Sequence, residues 1–314
     1  MSDIVAERPG WLTTVQDLGR EGFAAQGVSP SGAADAVALR VGNRLVGNAE
    51  GAAGLEMTLL GGEFRFCRGA AVALAGADFG ATLDGAPVKM WRSTEVRAGQ
   101  TLRLGATLSG ARCYLCVRGG IAVKPFLGSA STHLLSGLGG YEGRALRKGD
   151  AIVIGTAATA SPRARVADEA LRRLAPRKTL RVTDGPQAEW FSREATAAFY
   201  AATYRVAENS NRMGVRLEGT SNIAASAAGE MITEGVSLGA VQVPSDGQPI
   251  IVFVEQQTTG GYAKIANVIA ADLGSVGQLR PRDEIRFERV TLEAARGLLE
   301  EQESLIASEE LFAE

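Results

Sequence analysis

The stretch EGVSLGAVQVPSDGQPIIVFVEQQTTGGYAKIANVIAADLGSVGQ, residues 234–278, decides the fold. Val241-Gln242-Val243 and Ile250 to Val254 are short β-branched runs, and Pro244-Ser245-Asp246-Gly247 between them is turn chemistry. Together they predict an antiparallel pair. The second run leads into Gln256-Gln257-Thr258-Thr259-Gly260-Gly261-Tyr262, with Lys264 two residues on. Buried strands thus deliver amides, hydroxyls, a glycine pair and a cation to one place. A core alone does not ask for that polarity, so this is read as the working end of the chain.

Outward from that stretch, the same pattern repeats. Between Leu55 and Gly155 about nine short strand-like runs are separated by Gly61-Gly62, Asp84-Gly85, Ala98-Gly99 and Lys148-Gly149-Asp150. Closely spaced strands with glycine-rich turns predict a mainly β fold, a barrel or sandwich with a few short helices. One helix is expected from about Ala33 to Val46, capped by Ser31 and stopped by Gly47-Asn48. The expected organisation is a β-rich domain over 1–160, a linker over 161–178, a β-barrel domain over 179–290, and a helix with a solvated acidic tail over 291–314. No long-period repeat is evident.

The 314 residues suit about two domains, and 46% hydrophobic with 22% charged residues is ordinary for a globular chain. A net charge of -2 gives no field to attract nucleic acid or an acidic membrane. No apolar run approaches the ~20 residues of a membrane span. The three cysteines make no disulfide framework. Cys113 and Cys116 have the spacing of a redox or zinc pair, but in a strand they point to opposite faces, so they read as buried thiols. The odd count and the lack of a leader favour the cytoplasm. The single histidine, His133, excludes multi-histidine metal sites, and its polar setting reads as a solvated loop. Val88-Lys89-Met90 lacks one methionine of a biotin-carrier hairpin, so Lys89 reads as an edge-strand residue and no covalent biotin is expected on this chain.

The motifs say more than the periodicities. They include Leu12-Thr13-Thr14-Val15-Gln16-Asp17-Leu18-Gly19-Arg20, Pro30-Ser31-Gly32-Ala33, Asn43-Arg44-Leu45-Val46-Gly47-Asn48 and Arg118-Gly119-Gly120-Ile121. Gly185-Pro186-Gln187, Ser210-Asn211-Arg212-Met213-Gly214, Glu234-Gly235-Val236, Gly247-Gln248-Pro249-Ile250 and Thr258-Thr259-Gly260-Gly261-Tyr262 follow in order. Across residues 3–290 the sequence resembles the family of 5-oxoprolinase C-type subunits, also described as biotin-dependent carboxyltransferase or allophanate hydrolase subunit 2. It departs from the family pattern at Ala263, at Glu255-Gln256-Gln257 and at Pro281-Arg282-Asp283, where Pro, Asp-Arg-Gln and Pro-Gly-Asp are usual.

The resemblance implies a cyclophilin-like β-barrel architecture. It implies two partners, a B-type subunit as the cyclophilin-like companion half and a further A-type subunit. It also implies ATP with Mg²⁺ in a reaction that opens 5-oxoproline to glutamate. Phosphorylating a lactam oxygen makes a stable amide a good electrophile, and such chemistry is mostly positioning and charge stabilisation. In that setting Lys264, Arg212 and Gln242 are the candidate catalytic groups. Gln257, Thr258, Gly260, Gly261, Tyr262 and Asn211 are the candidate substrate contacts, with the Gly260-Gly261 amides offered to phosphate or carboxylate. Gln16, Asp17, Arg20 and Ser31 either face a partner or brace the helix start. No metal ligands are assigned. Two alternatives stand beside this reading: half of a biotin-dependent urea or amide carboxyltransferase, and a non-catalytic module that regulates a partner.

Overall fold

A computed structural model describes residues 2–157, 159–220, 223–225 and 231–314. It is mainly β and forms two units. The first comprises Met1–Arg20, Ser31–Leu174 and Leu305–Glu314, and the second Glu21–Pro30 and Ala175–Ser304. No helix among the described residues is long and apolar enough to cross a membrane.

The first unit buries its core between two sheets. One has seven strands, including Ile4–Arg8, Glu63–Phe66, Thr101–Arg103 and Ala151–Ile154. The other has five: Leu12–Gln16, Gly54–Thr58, Ser109–Val117, Ala70–Asp78 and Ser93–Val96, in that order. The central strand Ser109–Val117 shows how alternation divides the interior. Cys113, Leu115 and Val117 join the core between the sheets, while Tyr114 and Cys116 join a second cluster under the helix Ala36–Leu45. Both cysteines are free and buried, on opposite faces as their spacing requires, and burial pushes both thiols up. Gly42 lets the helix approach this strand closely, since a β-carbon there would lie 2.7 Å from Cys116 Sγ.

Four local expectations are corrected. The helix is capped by Asp35, whose Oδ1 accepts from the Ala38 N–H at 3.0 Å. The helix starts at Ala36 and not at about Ala33, so Ser31 lies upstream of the cap position and instead donates to the Thr132 carbonyl at 2.7 Å. Lys89 lies outside any strand and is exposed, and Trp91 at φ 60° breaks the run expected to be extended. His133 is only 6% exposed, with Nδ1 accepting from the Ser136 N–H. The tail past Ala307 is not a solvated charge run. Its Leu311 is fully buried with Leu305 and Ile306, and Phe312–Ala313 pairs with Arg165–Val166. The acidic residues there masked the apolar positions that carry it inward.

The second unit is a closed barrel of seven strands in the order Thr179–Asp184, Ala263–Val268, Ala240–Val243, Ile250–Val252, Gly214–Glu218, Tyr204–Val206 and Glu284–Arg289. Closure comes from the pairing of Thr179–Asp184 with Glu284–Arg289, which is parallel. The hairpin that decided the reading is present: Gly247, at φ 71°, donates its N–H to Pro244 O at 3.0 Å. Its strands pair through Val241 with Ile251. The helix Arg193–Ala201, capped by Ser192, brings Phe199 onto Phe287, with ring centroids 4.7 Å apart. Residues Glu234–Gly235 and Thr259–Gly260 form a separate two-stranded ribbon. Arg282, where the family pattern has glycine, is held at φ 71° with its N–H on Val206 O.

Candidate functional site

The site is built from adjacent barrel strands. Lys264 and Gln242 are cross-strand partners in the Ala263–Val268 and Ala240–Val243 pair, so their side chains share a face. Lys264 is 2% exposed and Gln242 3%, unusual burial for a lysine and an amide. Such an ammonium needs a partner. It finds Glu234, whose Oε1 lies 2.7 Å from Nζ. Glu234 in turn sits opposite Gly260 in the ribbon.

Gln187 ties these pieces together. Its Nε2 donates to the same Glu234 oxygen at 2.8 Å, and its Oε1 accepts from the Lys264 N–H at 3.2 Å. Gly185 allows the approach, since a β-carbon there would run into the Lys264 carbonyl oxygen. That explains the Gly185-Pro186-Gln187 motif physically. The hydrogen bonds from Lys264 and then Gln187 hold the Glu234 carboxyl below its usual range. Glu234 keeps 46% of its side chain exposed, whereas Lys264 keeps 3%. The pair therefore presents a carboxylate to solvent and hides the cation.

Beside it the chain packs tightly against Gly260. A β-carbon there would be 2.7 Å from Gln242 Nε2, 2.8 Å from Gln257 Nε2 and 3.0 Å from Val236 Cγ2. Two amide nitrogens thus pack against the glycine where any side chain would stand. Among the described residues Gln242 Nε2 is buried and makes no hydrogen bond, and the same is true of Gln256 Oε1. The other end of Gln256 is anchored, with Nε2 donating to Val236 O at 3.1 Å.

The structure brings together Lys264, Gln242, Gln257 and Gly260 from the expected set. It corrects the picture of an open cation on a flexible glycine loop. Lys264 is enclosed and neutralised, and Gly260 is buried in the ribbon. Neither Gly260 nor Gly261 takes a positive φ, so they form no anion-binding nest, and Gly260 serves to let the Gln242 and Gln257 amides pack close to the backbone. Thr258 is half-buried with its carbonyl taking the Val236 N–H, and Gly261 and Tyr262 are exposed beside the site. Arg212 is not available to substrate. It is paired with Glu255 at 2.5 Å, with 5% and 3% of the two side chains exposed. Asn211 is a turn residue whose Oδ1 accepts from the Met213 N–H at 2.8 Å. Glu234, Gln187 and Gln256 were given no role by the sequence reading. The signal that finds the first two is register, which places Glu234 opposite Gly260 and seats Gln187 on Lys264.

In the first unit, Gln16, Asp17, Arg20 and Ser31 converge on the loop 129–132. Asp17 accepts from Ser129 Oγ, Ser131 Oγ and the Ala130 N–H, each at 2.6 Å, and from the Gly19 N–H. Gln16 Nε2 and Ser31 Oγ both donate to Thr132 O, and Arg20 donates to Ser131 O. Three of the four are buried and Asp17 is partly so. They brace a loop inside the unit. Among the described residues no three His, Cys, Asp or Glu side chains gather to hold a metal.

Comparison with known proteins gives this geometry a family. Residues 26–289 match the model of the carboxyltransferase domain, subdomain A and B. The chain is 39% identical to the C-type subunit of 5-oxoprolinase from Escherichia coli over 296 residues, covering 94% of each. It is 36% identical to urea amidolyase of Saccharomyces cerevisiae, covering 96% of this chain and 17% of that protein. The crystal structure of Kluyveromyces lactis urea carboxylase superposes with a TM-score of 0.92 at 33% identity, over 100% of this chain and 30% of that one. A domain match across most of the barrel and sandwich, and a relative matched along nearly its whole length, lead to one conclusion: the chain belongs to the carboxyltransferase-domain family, among the 5-oxoprolinase C-type subunits and their urea amidolyase relatives.

Proposed function

We propose that this chain is the C-type subunit of an ATP-dependent 5-oxoprolinase, acting with A-type and B-type partners to activate 5-oxo-L-proline for ring opening to L-glutamate. The observation that carries the reading is the match to the Escherichia coli 5-oxoprolinase protein over 94% of both chains. The urea enzymes are matched over only 17 to 30% of their length. The barrel site is consistent with it, because it sets the buried side-chain amides of Gln242 and Gln256 in the same barrel as a charged pair.

In this reading Gln242 hydrogen-bonds the lactam beside the Lys264–Glu234 pair, and Glu234 with Gln187 fixes where the ammonium points. In this reading ATP and Mg²⁺ act in the assembled enzyme.

The reading is tested by combining the full chain with its A-type and B-type partners. Phosphate release is expected only with 5-oxo-L-proline, in step with glutamate formation. Release that ignores 5-oxo-L-proline overturns it. The urea carboxylase superposition favours a second reading, a carboxyltransferase half acting on urea or a similar amide. Carboxylation of urea by the chain plus a biotinylated partner would select it, and tight partner binding without turnover would select a regulatory module.

A further inference from the structure

We infer that a cleft at the closing seam of the barrel binds a free α-amino acid with an aliphatic side chain, its ammonium on Asp184 and its carboxylate on Arg289. The cleft measures about 520 Å³ and is lined by Thr183, Asp184, Arg289, Val290, Thr291 and Leu292. That lies within the ~300–1,000 Å³ of small-molecule sites. Its place follows from strand direction. Thr179–Asp184 and Glu284–Arg289 run parallel, whereas the other neighbours in the barrel are antiparallel. Parallel neighbours end on the same side and no hairpin can join them there, so a crevice is left beyond the strand ends. Here one chain turns into Gly185-Pro186-Gln187 and the other enters the helix Leu292–Ala307.

The lining presents both charges and a hydrocarbon wall. Asp184 and Arg289 form an ion pair with 43% and 60% of their side chains exposed. A pair this open holds weakly, so a ligand carrying both charges can part it and satisfy each member. Tyr200 Oη stands 3.5 Å from Asp184 Oδ1 and gives the carboxylate a second contact. Leu292 is 72% exposed and Val290 half-buried, which offers an aliphatic side chain a surface to cover. Each simpler ligand leaves something unmet. A carboxylate alone takes Arg289 from Asp184 and leaves the acid without a cation, and an amine alone does the reverse. A neutral apolar molecule gains from Leu292 and nothing from the pair. An α-amino acid carries ammonium, carboxylate and side chain on one carbon. Lys264 and Glu234 are not among the lining residues, so occupancy is read without turnover.

The test titrates the full chain, at fixed pH and ionic strength, with L-leucine, with 4-methylpentanoate, which lacks the ammonium, and with 3-methylbutylamine, which lacks the carboxylate. Backbone amide NMR signals of Thr183, Asp184 and Arg289 to Leu292 are followed. L-Leucine is expected to shift them, and each single-charge analogue should bind roughly tenfold or more weakly. Asp184→Asn and Arg289→Gln change exposed side chains, so both should fold with little change in Tm. Each should lose the L-leucine shifts. Asp184→Asn should also tighten 4-methylpentanoate, because Arg289 is then released from the competing carboxylate. Equal binding of the three probes, no shifts with L-leucine, or L-leucine binding retained in either folded variant overturns the inference.

Discussion

Two ion pairs in the same barrel look alike by their short contacts and differ in kind. Arg212 and Glu255 are sealed, with 5% and 3% of their side chains exposed. Lys264 and Glu234 are lopsided, with 3% and 46%. The sealed pair has no route to a ligand and holds the turn at Arg212 to the end of the Ile250–Val254 run, where the Glu255 N–H also donates to Arg212 O. The lopsided pair keeps its carboxylate in water and its ammonium enclosed on the strand face it shares with Gln242, whose Nε2 has no partner. The lesson is that charge burial alone does not distinguish the two pairs; the exposure of the carboxylate does.

Breaking the sealed pair should have the largest effect. Arg212→Met leaves Glu255 charged and enclosed, and a loss of about 3–5 kcal/mol in urea unfolding is expected. Replacing both partners together with apolar residues should recover much of that loss. A double variant as unstable as the single one would mean that the backbone geometry, not the charge, was at stake.

Lys264→Met sharpens the contrast. Glu234 can rehydrate where it stands, so the stability loss should be well below that of Arg212→Met. Loss of the ammonium that holds Glu234 in place should instead lower 5-oxo-L-proline-dependent kcat/KM of the assembled enzyme by about a hundredfold. A large Tm drop with activity per folded molecule preserved would make this pair structural as well.

The smallest effect is on pH. Lys264 and Gln187 lower the Glu234 carboxyl in the folded chain. Its contribution is therefore fully present above the unfolded glutamate value of about 4.3, and is lost as pH falls through the folded value. Glu234→Gln should flatten that part of the acid limb, read as the difference between the urea midpoints of the two proteins from about pH 6 down to pH 3. Parallel curves would show that the pair contributes nothing measurable.

Much of the barrel was legible because its signals are local. Val241, Val243 and Ile250 to Val254 alternate or run apolar around a turn whose Gly247 has the φ that turn needs. Lys264 and Gln242 stood out because polar groups in such strands require a reason. The partners were not legible, because each lies across the fold. Glu255 is 43 positions from Arg212, and Gln187 is 77 from Lys264. Charge type without register made Arg212 and Lys264 look equivalent. In the first unit, Asp17 and Ser131 are 114 apart, so a motif that braces a loop read equally well as a surface for a partner.

The packing of Leu305, Ile306 and Leu311 against the sandwich sets an order on biosynthesis. Residues 175–304 leave the ribosome, with 21–30 long since made, before the first unit has all of its strands. The domain encoded first is thus finished last, waiting for Phe312–Ala313 to reach Arg165–Val166. A free chain truncated after residue 304 should hold a closed barrel and a sandwich with one seam still open to proteases.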